Sequence, residues 1–150
     1  MKISAKDEYA CSAVLELALN YDSEAPVVRV QDIADRHGIP MKFLFQIMQT
    51  LKHVDIVRSK RGTEGGYVLA RPPDQISIGD VIRSVSGPFV QLSCLDSGNF
   101  ADNCERESTC HFKSIWSDLD RAIASVLNNV TFEDLARRVR ANRRQVMYHI

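Results

Sequence analysis

Apolar residues recur every three or four positions along most of the chain, the period of amphipathic helices. Tyr9, Ala13 and Leu17, with Leu15 and Leu19, mark a first helix in ISAKDEYACSAVLELALNYDSE. Ser4 is its N-cap, and Asp7 stands three residues on in a capping-box arrangement. A short second helix in VVRVQDIADRHGI starts near Val30, turns Ile33 and Ala34 inward and stops at Gly38. Pro40 opens a third, MKFLFQIMQTLKHV, with Leu44, Ile47, Met48 and Leu51 on one side. Two short helices split by GIP form a helix-turn-helix candidate.

The pattern then changes. DIVRSKRGTEGGYVLARPP holds two short apolar stretches around a basic, glycine-containing turn, which predicts a hairpin. A hairpin directly after a recognition helix is a wing. ISIGDVIRSVSG predicts a short helix burying Ile78, Val81, Ile82 and Val85. From about Thr109 a long helix is expected, its stripe formed by Phe112, Ile115, Trp116, Leu119, Ile123, Val126 and Leu127. Thr131 and Asp134 cap a final short helix over FEDLARRVR, and the basic tail RANRRQVMYHI is expected to fray. The fold class is mainly α with a small β wing, a winged helix-turn-helix domain plus a long dimerisation helix. The expected division is 1–88 for the DNA-binding domain, 89–110 for a cysteine-rich loop, and 111–150 for the dimerisation helix and C-terminal segment. The long stripe exceeds what a small body can cover, and a twofold homodimer buries it economically.

Composition narrows the class. The 150 residues are 45% hydrophobic and 25% charged, ordinary globular material. The formal net charge is zero, so no bulk positive field announces nucleic acid. The local balance differs: from Lys52 to Arg71 there are five basic and two acidic residues. The start of the chain has no positive region followed by an apolar run, and no run has the length of a membrane span. The expected compartment is the cytoplasm, with no membrane partner.

The third helix leaves Met41, Lys42, Phe43, Phe45, Gln46 and Gln49 outside its core stripe. Gln46 suits an adenine edge, Lys42 a guanine or phosphate, and Phe43 or Phe45 a thymine methyl group. Either phenylalanine can equally belong to the core. Arg61 at the wing tip suits a minor groove, while Arg58 and Lys60 suit backbone phosphates. A solvated charge run is the plain alternative, which the position after a helix-turn-helix disfavours. The expected partner is double-stranded operator DNA.

CLDSGNFADNCERESTCH holds three of the four cysteines. Cys94, Cys104 and Cys110 are separated by nine and then five residues, with no close Cys-x-x-Cys knuckle of a zinc site. Widely spaced thiolates suit a larger guest, an iron–sulfur cluster. They are one ligand short. His111, Glu8 and Cys11 are the open choices for the fourth, and Cys11 has the plainer role of helix packing. An empty thiol loop, a reversible disulfide or adventitious zinc are the alternatives for the loop itself.

MKISAKDEYACSAVLELAL, the run from QDIADRHGIP to VIRSVSG, and above all RG..GGY.LARP from Arg61 to Pro72 resemble a family of bacterial winged-helix regulators. That family includes the cluster regulator IscR, the nitric-oxide-sensing NsrR and the cysteine-metabolism repressor CymR. The resemblance covers nearly the whole chain. It implies a dimeric transcription regulator, a repressor in the first reading. Its hold on operator DNA would follow a cluster sensing iron, redox state or nitric oxide. It also carries departures. The first cysteine gap is nine residues where the best-known members have five, and Lys113 stands where the cluster regulator places its histidine ligand. An acidic residue near the start is the fourth ligand in the nitric-oxide sensor, and Glu8 holds the matching position. The resemblance therefore implies Cys94, Cys104, Cys110 and Glu8 as the metal ligands. Four irons (4Fe-4S) are favoured, and a two-iron (2Fe-2S) cluster stays open. Phe45 replaces an acidic base-reading residue. A cluster-free regulator controlled by thiol oxidation or a partner protein is the runner-up. An iron–sulfur enzyme or electron carrier comes last, since no acid–base pair stands out.

Overall fold

The computed structural model of the chain describes residues 3–23, 26–62, 65–90 and 110–147, with side chains to residue 143. Its elements are α1 (Ala5–Leu19), α2 (Val30–His37), α3 (Met41–His53), β1 (Val57–Lys60), β2 (Gly66–Leu69), a 3-10 turn (Pro73–Gln75), α4 (Ile78–Ser86), α5 (Lys113–Asn128) and α6 (Phe132–Met147). This is the mainly α winged helix-turn-helix predicted from the periodicity.

Three helices begin with the same reciprocal cap. The Asp7 amide donates to Ser4 Oγ at 3.2 Å, and the Asp7 carboxylate accepts from the Ser4 amide at 2.9 Å. Ser77 with Asp80 starts α4 in this way, and Thr131 with Asp134 starts α6. Each cap satisfies backbone donors that have no partner inside the helix. Gly38 ends α2 with φ 62, the left-handed conformation that costs a side chain dearly, so the chain can turn sharply into α3.

α1 is the central strut, touching α2, α3, α4 and α6. Its buried Ala10, Ala13, Val14, Leu17 and Ala18 recur at three and four and form one stripe, while Tyr9, Leu15 and Leu19 of the expected face are half-buried. Leu44, Ile47, Met48 and Leu51 of α3 and Ile33 of α2 close one side of the core, as their spacing predicts. In α4, Val81 and Val85 are buried while Ile78 and Ile82 are only half-buried. α6 corrects the expectation of a short helix and frayed tail, since it runs sixteen residues to Met147. It also lies within 111–150 yet packs into the winged-helix core, through fully buried Phe132 and Ala136. The Phe132 amide donates to the Ile76 carbonyl at 2.9 Å.

The wing pairs antiparallel from Val57 opposite Leu69 to Lys60 opposite Gly66. Val28 adds a third edge, exchanging backbone hydrogen bonds with Tyr67 at 2.8 and 3.0 Å. Gly66 is required there, because a Cβ would sit 2.3 Å from the Val28 carbonyl oxygen.

α5 starts four residues later than predicted. It leans on α4, where Arg83 donates to Asn128 Oδ1 at 2.7 Å. None of its residues is buried. Phe112, Ile115, Trp116, Leu119 and Val126 are all exposed.

Candidate nucleic-acid interface and cysteine region

The reading face follows from helix geometry. At about 100° per residue, Lys42, Gln46 and Gln49 lie opposite the buried Leu44, Ile47, Met48 and Leu51. All three are exposed, and α3 contains no acidic residue. Phe43 and Phe45 flank this polar strip on its two sides. Phe45 is 52% exposed and Phe43 39%. Phe43 is nonetheless held, its ring meeting Tyr9 of α1 edge-on at 6.0 Å between centroids and an interplanar angle of 86°. Gln49 donates to the Tyr67 hydroxyl at 3.4 Å, a link from the reading helix to the wing.

The wing supplies the charge. Val57 points into the core, while Arg58, Lys60 and Arg61 are exposed. Among the described residues none of these cations, nor Lys42, has a carboxylate partner. Arg29, Arg36, Arg71, Arg83 and Arg140 each do. An unpaired cation keeps its full charge for a phosphate. The fold thus brings the six predicted DNA-contact residues onto adjoining exposed elements, Lys42, Phe43 and Gln46 on α3 and Arg58, Lys60 and Arg61 on the wing.

The helix-turn-helix is braced from α1. Glu16 is buried and accepts from Arg36 and from Asn20, with His37 Nε2 at 3.4 Å from its carboxylate. These contacts set the end of α2 against the last turn of α1.

Cys94 and Cys104 lie outside the described residues. Cys110 is half-buried just before α5, in an open cleft lined by Lys113, Ser114, Ser117, Asp118 and Arg121. Glu8 is exposed on α1, and His111 is exposed. Among the described residues no three His, Cys, Asp or Glu side chains gather as a metal site. Cys11 packs against the core. Burial, reinforced by the Asp7 carboxylate, pushes its thiol up to about 11. It is a protonated packing residue at neutral pH and a poor thiolate donor.

Sequence reasoning missed what surrounds Glu8. Asp7, read only as a cap, is 4% exposed and accepts from the Ser86 hydroxyl at 2.5 Å. Burial works to raise its carboxyl, but hydrogen bonds from Ser86 and Ser4 outweigh this and hold it below its ordinary value. Lys6 donates to the Val85 carbonyl. On the other side of Glu8 stands Tyr9, whose ring touches the recognition helix.

This architecture is shared with known regulators. A family model named Rrf2 and described as an iron-dependent transcriptional regulator matches residues 3–138. An HTH-type transcriptional regulator of Mycobacterium tuberculosis (strain ATCC 25618 / H37Rv) is 38% identical over 136 residues, covering 91% of this chain and 81% of that protein. The HTH-type transcriptional regulator IscR of Escherichia coli O1:K1 / APEC is 34% identical over 135 residues, covering 90% and 80%. The solved structure of CymR, the global cysteine regulator of B. subtilis, superposes with a TM-score of 0.70 at 32% identity, covering 91% of this chain and 96% of that one.

Proposed function

We propose, from the premise that the chain belongs to the Rrf2 family of transcription regulators, that it is a homodimeric repressor whose grip on DNA follows an iron–sulfur cluster. That it is a DNA-binding transcription regulator follows from the family itself. The proposal concerns the signal and the residues that read it.

Lys42, Phe43 and Gln46 read base edges, and Arg58, Lys60 and Arg61 hold phosphates and the minor groove. The exposed apolar face of α5, Trp116 included, supports dimerisation through that helix, since monomers rarely leave such a stripe in water. Two reading heads then meet two half-sites.

Cys94, Cys104, Cys110 and Glu8 are the residues that would hold the cluster. The donor set fits: thiolates are the soft ligands iron–sulfur groups take, and a lone carboxylate is a weaker fourth. When bound, the cluster supplies redox-active iron open to small ligands. The observation that carries the reading is the position of Glu8. It is exposed, and its neighbours in sequence reach two different elements: Asp7 is bonded to Ser86 of α4, and Tyr9 is packed on Phe43 of α3. Engaging Glu8 therefore biases the start of α1, and α1 biases the reading helix. Such a bias acts only through different affinities for the two arrangements.

Anaerobic purification with iron and sulfide counts tests this, followed by operator binding before and after iron is chelated. Stoichiometric iron and sulfide, lost in Cys104→Ala, with DNA affinity changing on removal, is expected. The likeness to CymR, one of whose solved structures is an oxidized form, favours one second reading, a regulator of this fold with cysteine-loop thiols switched by oxidation or a partner. Protein free of iron whose DNA affinity follows thiol oxidation would establish that reading instead.

A further inference from the structure

We infer that the cleft between the starts of α1 and α3 receives the 5-methyl group of an operator thymine, with Phe43 as the contacting residue and Tyr9 as the residue that positions it. The inference rests on the reading that α3 enters the major groove. It adds a specificity determinant from outside the helix-turn-helix.

The cleft is open, encloses about 490 Å³, and is lined by Ala5, Tyr9, Pro40, Lys42, Phe43 and Gln46. Its walls are mostly apolar and its lip carries one cation and one amide. In the major groove the thymine methyl is the one apolar group on a base edge, and a lysine and a glutamine beside it suit a phosphate or guanine and an adenine. Charge points the same way. Lys42 has no carboxylate partner among the described residues, α3 has no acid, and β1, which carries Arg58 and Lys60, packs against α3. A polyanion is therefore the occupant that this lip favours over an apolar peptide.

The two phenylalanines of α3 differ in how they are held. The Phe43 ring has Tyr9 edge-on against it, and Tyr9 is itself half-buried against the core. The Phe45 ring has no aromatic neighbour among the described residues. A ring fixed before binding loses less freedom on contact, so Phe43 discriminates a methyl group from its absence better than a mobile ring would. Tyr9 supplies that fixity from α1.

Full-length protein is first used to select a site from a pool of randomised duplexes. Each thymine of the selected site is then replaced singly by deoxyuridine, which removes only the methyl group, and affinity is measured by fluorescence anisotropy. At one thymine per half-site, wild type is expected to weaken about fourfold, the value of burying one methyl-sized group. Phe43→Ala should bind the two duplexes equally. Tyr9→Ala should shrink the discrimination, and Tyr9→Phe, which keeps the ring, should retain it. Because the wild-type comparison changes only the DNA, it holds even if a variant folds poorly. The assignment is overturned if no position senses the methyl group, if Phe43→Ala still senses it, or if Phe45→Ala abolishes it instead. Failure of wild type to select any sequence would remove the regulator reading together with this inference. A selected site indifferent to every methyl group would remove this inference alone.

Discussion

Ser86, the last residue of α4, donates its hydroxyl to the Asp7 carboxylate at 2.5 Å, joining two positions 79 residues apart. The same carboxylate caps α1 through Ser4. One buried side chain thus starts a helix and anchors it. Lys6, donating to the Val85 carbonyl, doubles the attachment. The first turn of α1 cannot shift without breaking charge-assisted hydrogen bonds, which are stronger than neutral ones.

Asp7→Asn should therefore destabilise the fold by about 2 kcal/mol near pH 7, the scale of a hydrogen bond to a charged group. The sign with pH follows from the lowered carboxyl. Its contribution is full above the ordinary value of 3.8 and is lost as pH falls through the lower folded value. Urea unfolding at fixed protein concentration should show the gap between wild type and Asp7→Asn closing below about pH 4. A gap unchanged at pH 2 would contradict the assignment.

Gly66→Ala tests the wing. Its Cβ would meet the Val28 carbonyl oxygen at 2.3 Å, with the Val28 carbon at 2.7 Å behind it. Both are backbone, so the β2–Val28 pairing has to open. A loss of more than about 2 kcal/mol and weakened DNA binding are expected. Gly38→Ala has no such clash and only its positive φ to contend with. It should cost about 1 kcal/mol. Equal losses at both positions would deny the close approach.

Arg58→Ala should weaken all duplexes about equally and lower the slope of log affinity against log salt by roughly one, the mark of one lost phosphate contact. Arg29 already meets Asp32, so Arg29→Ala should leave the slope alone. Titrations at several salt concentrations separate the two.

Trp116→Glu places a charge on the exposed stripe of α5, where Trp116 itself is 38% exposed. If that stripe is a dimer seam, burying an unpaired carboxylate there should shift sedimentation toward monomer. A wild type that sediments as a monomer at every concentration would refute the seam.

Cys11→Ala should leave iron content nearly unchanged, because its thiol is raised to about 11 and packed against the core. Glu8→Ala should hasten loss of iron in air. Colour lost from Cys11→Ala alone would transfer the fourth ligand from Glu8 to Cys11.

The elements are legible in the local pattern of residues alone. A helix needs partners only three and four residues away, so Leu44, Ile47 and Leu51 declared α3, while Ser4 with Asp7 and Thr131 with Asp134 declared two helix starts. The basic hairpin and the unclaimed face of α3 were legible for the same reason, since exposure follows from what the core stripe leaves over. What those elements meet emerges from the folded chain. The paired burial of Asp7 and Ser86, the Tyr9 ring against Phe43, and the Val28 carbonyl over Gly66 all join distant stretches of chain. No periodicity encodes such pairs. The same limit hid the role of α6. Its arginine-rich end read as a frayed tail, yet Arg140 reaches the Ala18 carbonyl at 3.3 Å and Phe132 fills the core. A helix with little apolar content is held by its docking partner, and that partner is visible only once the chain has folded.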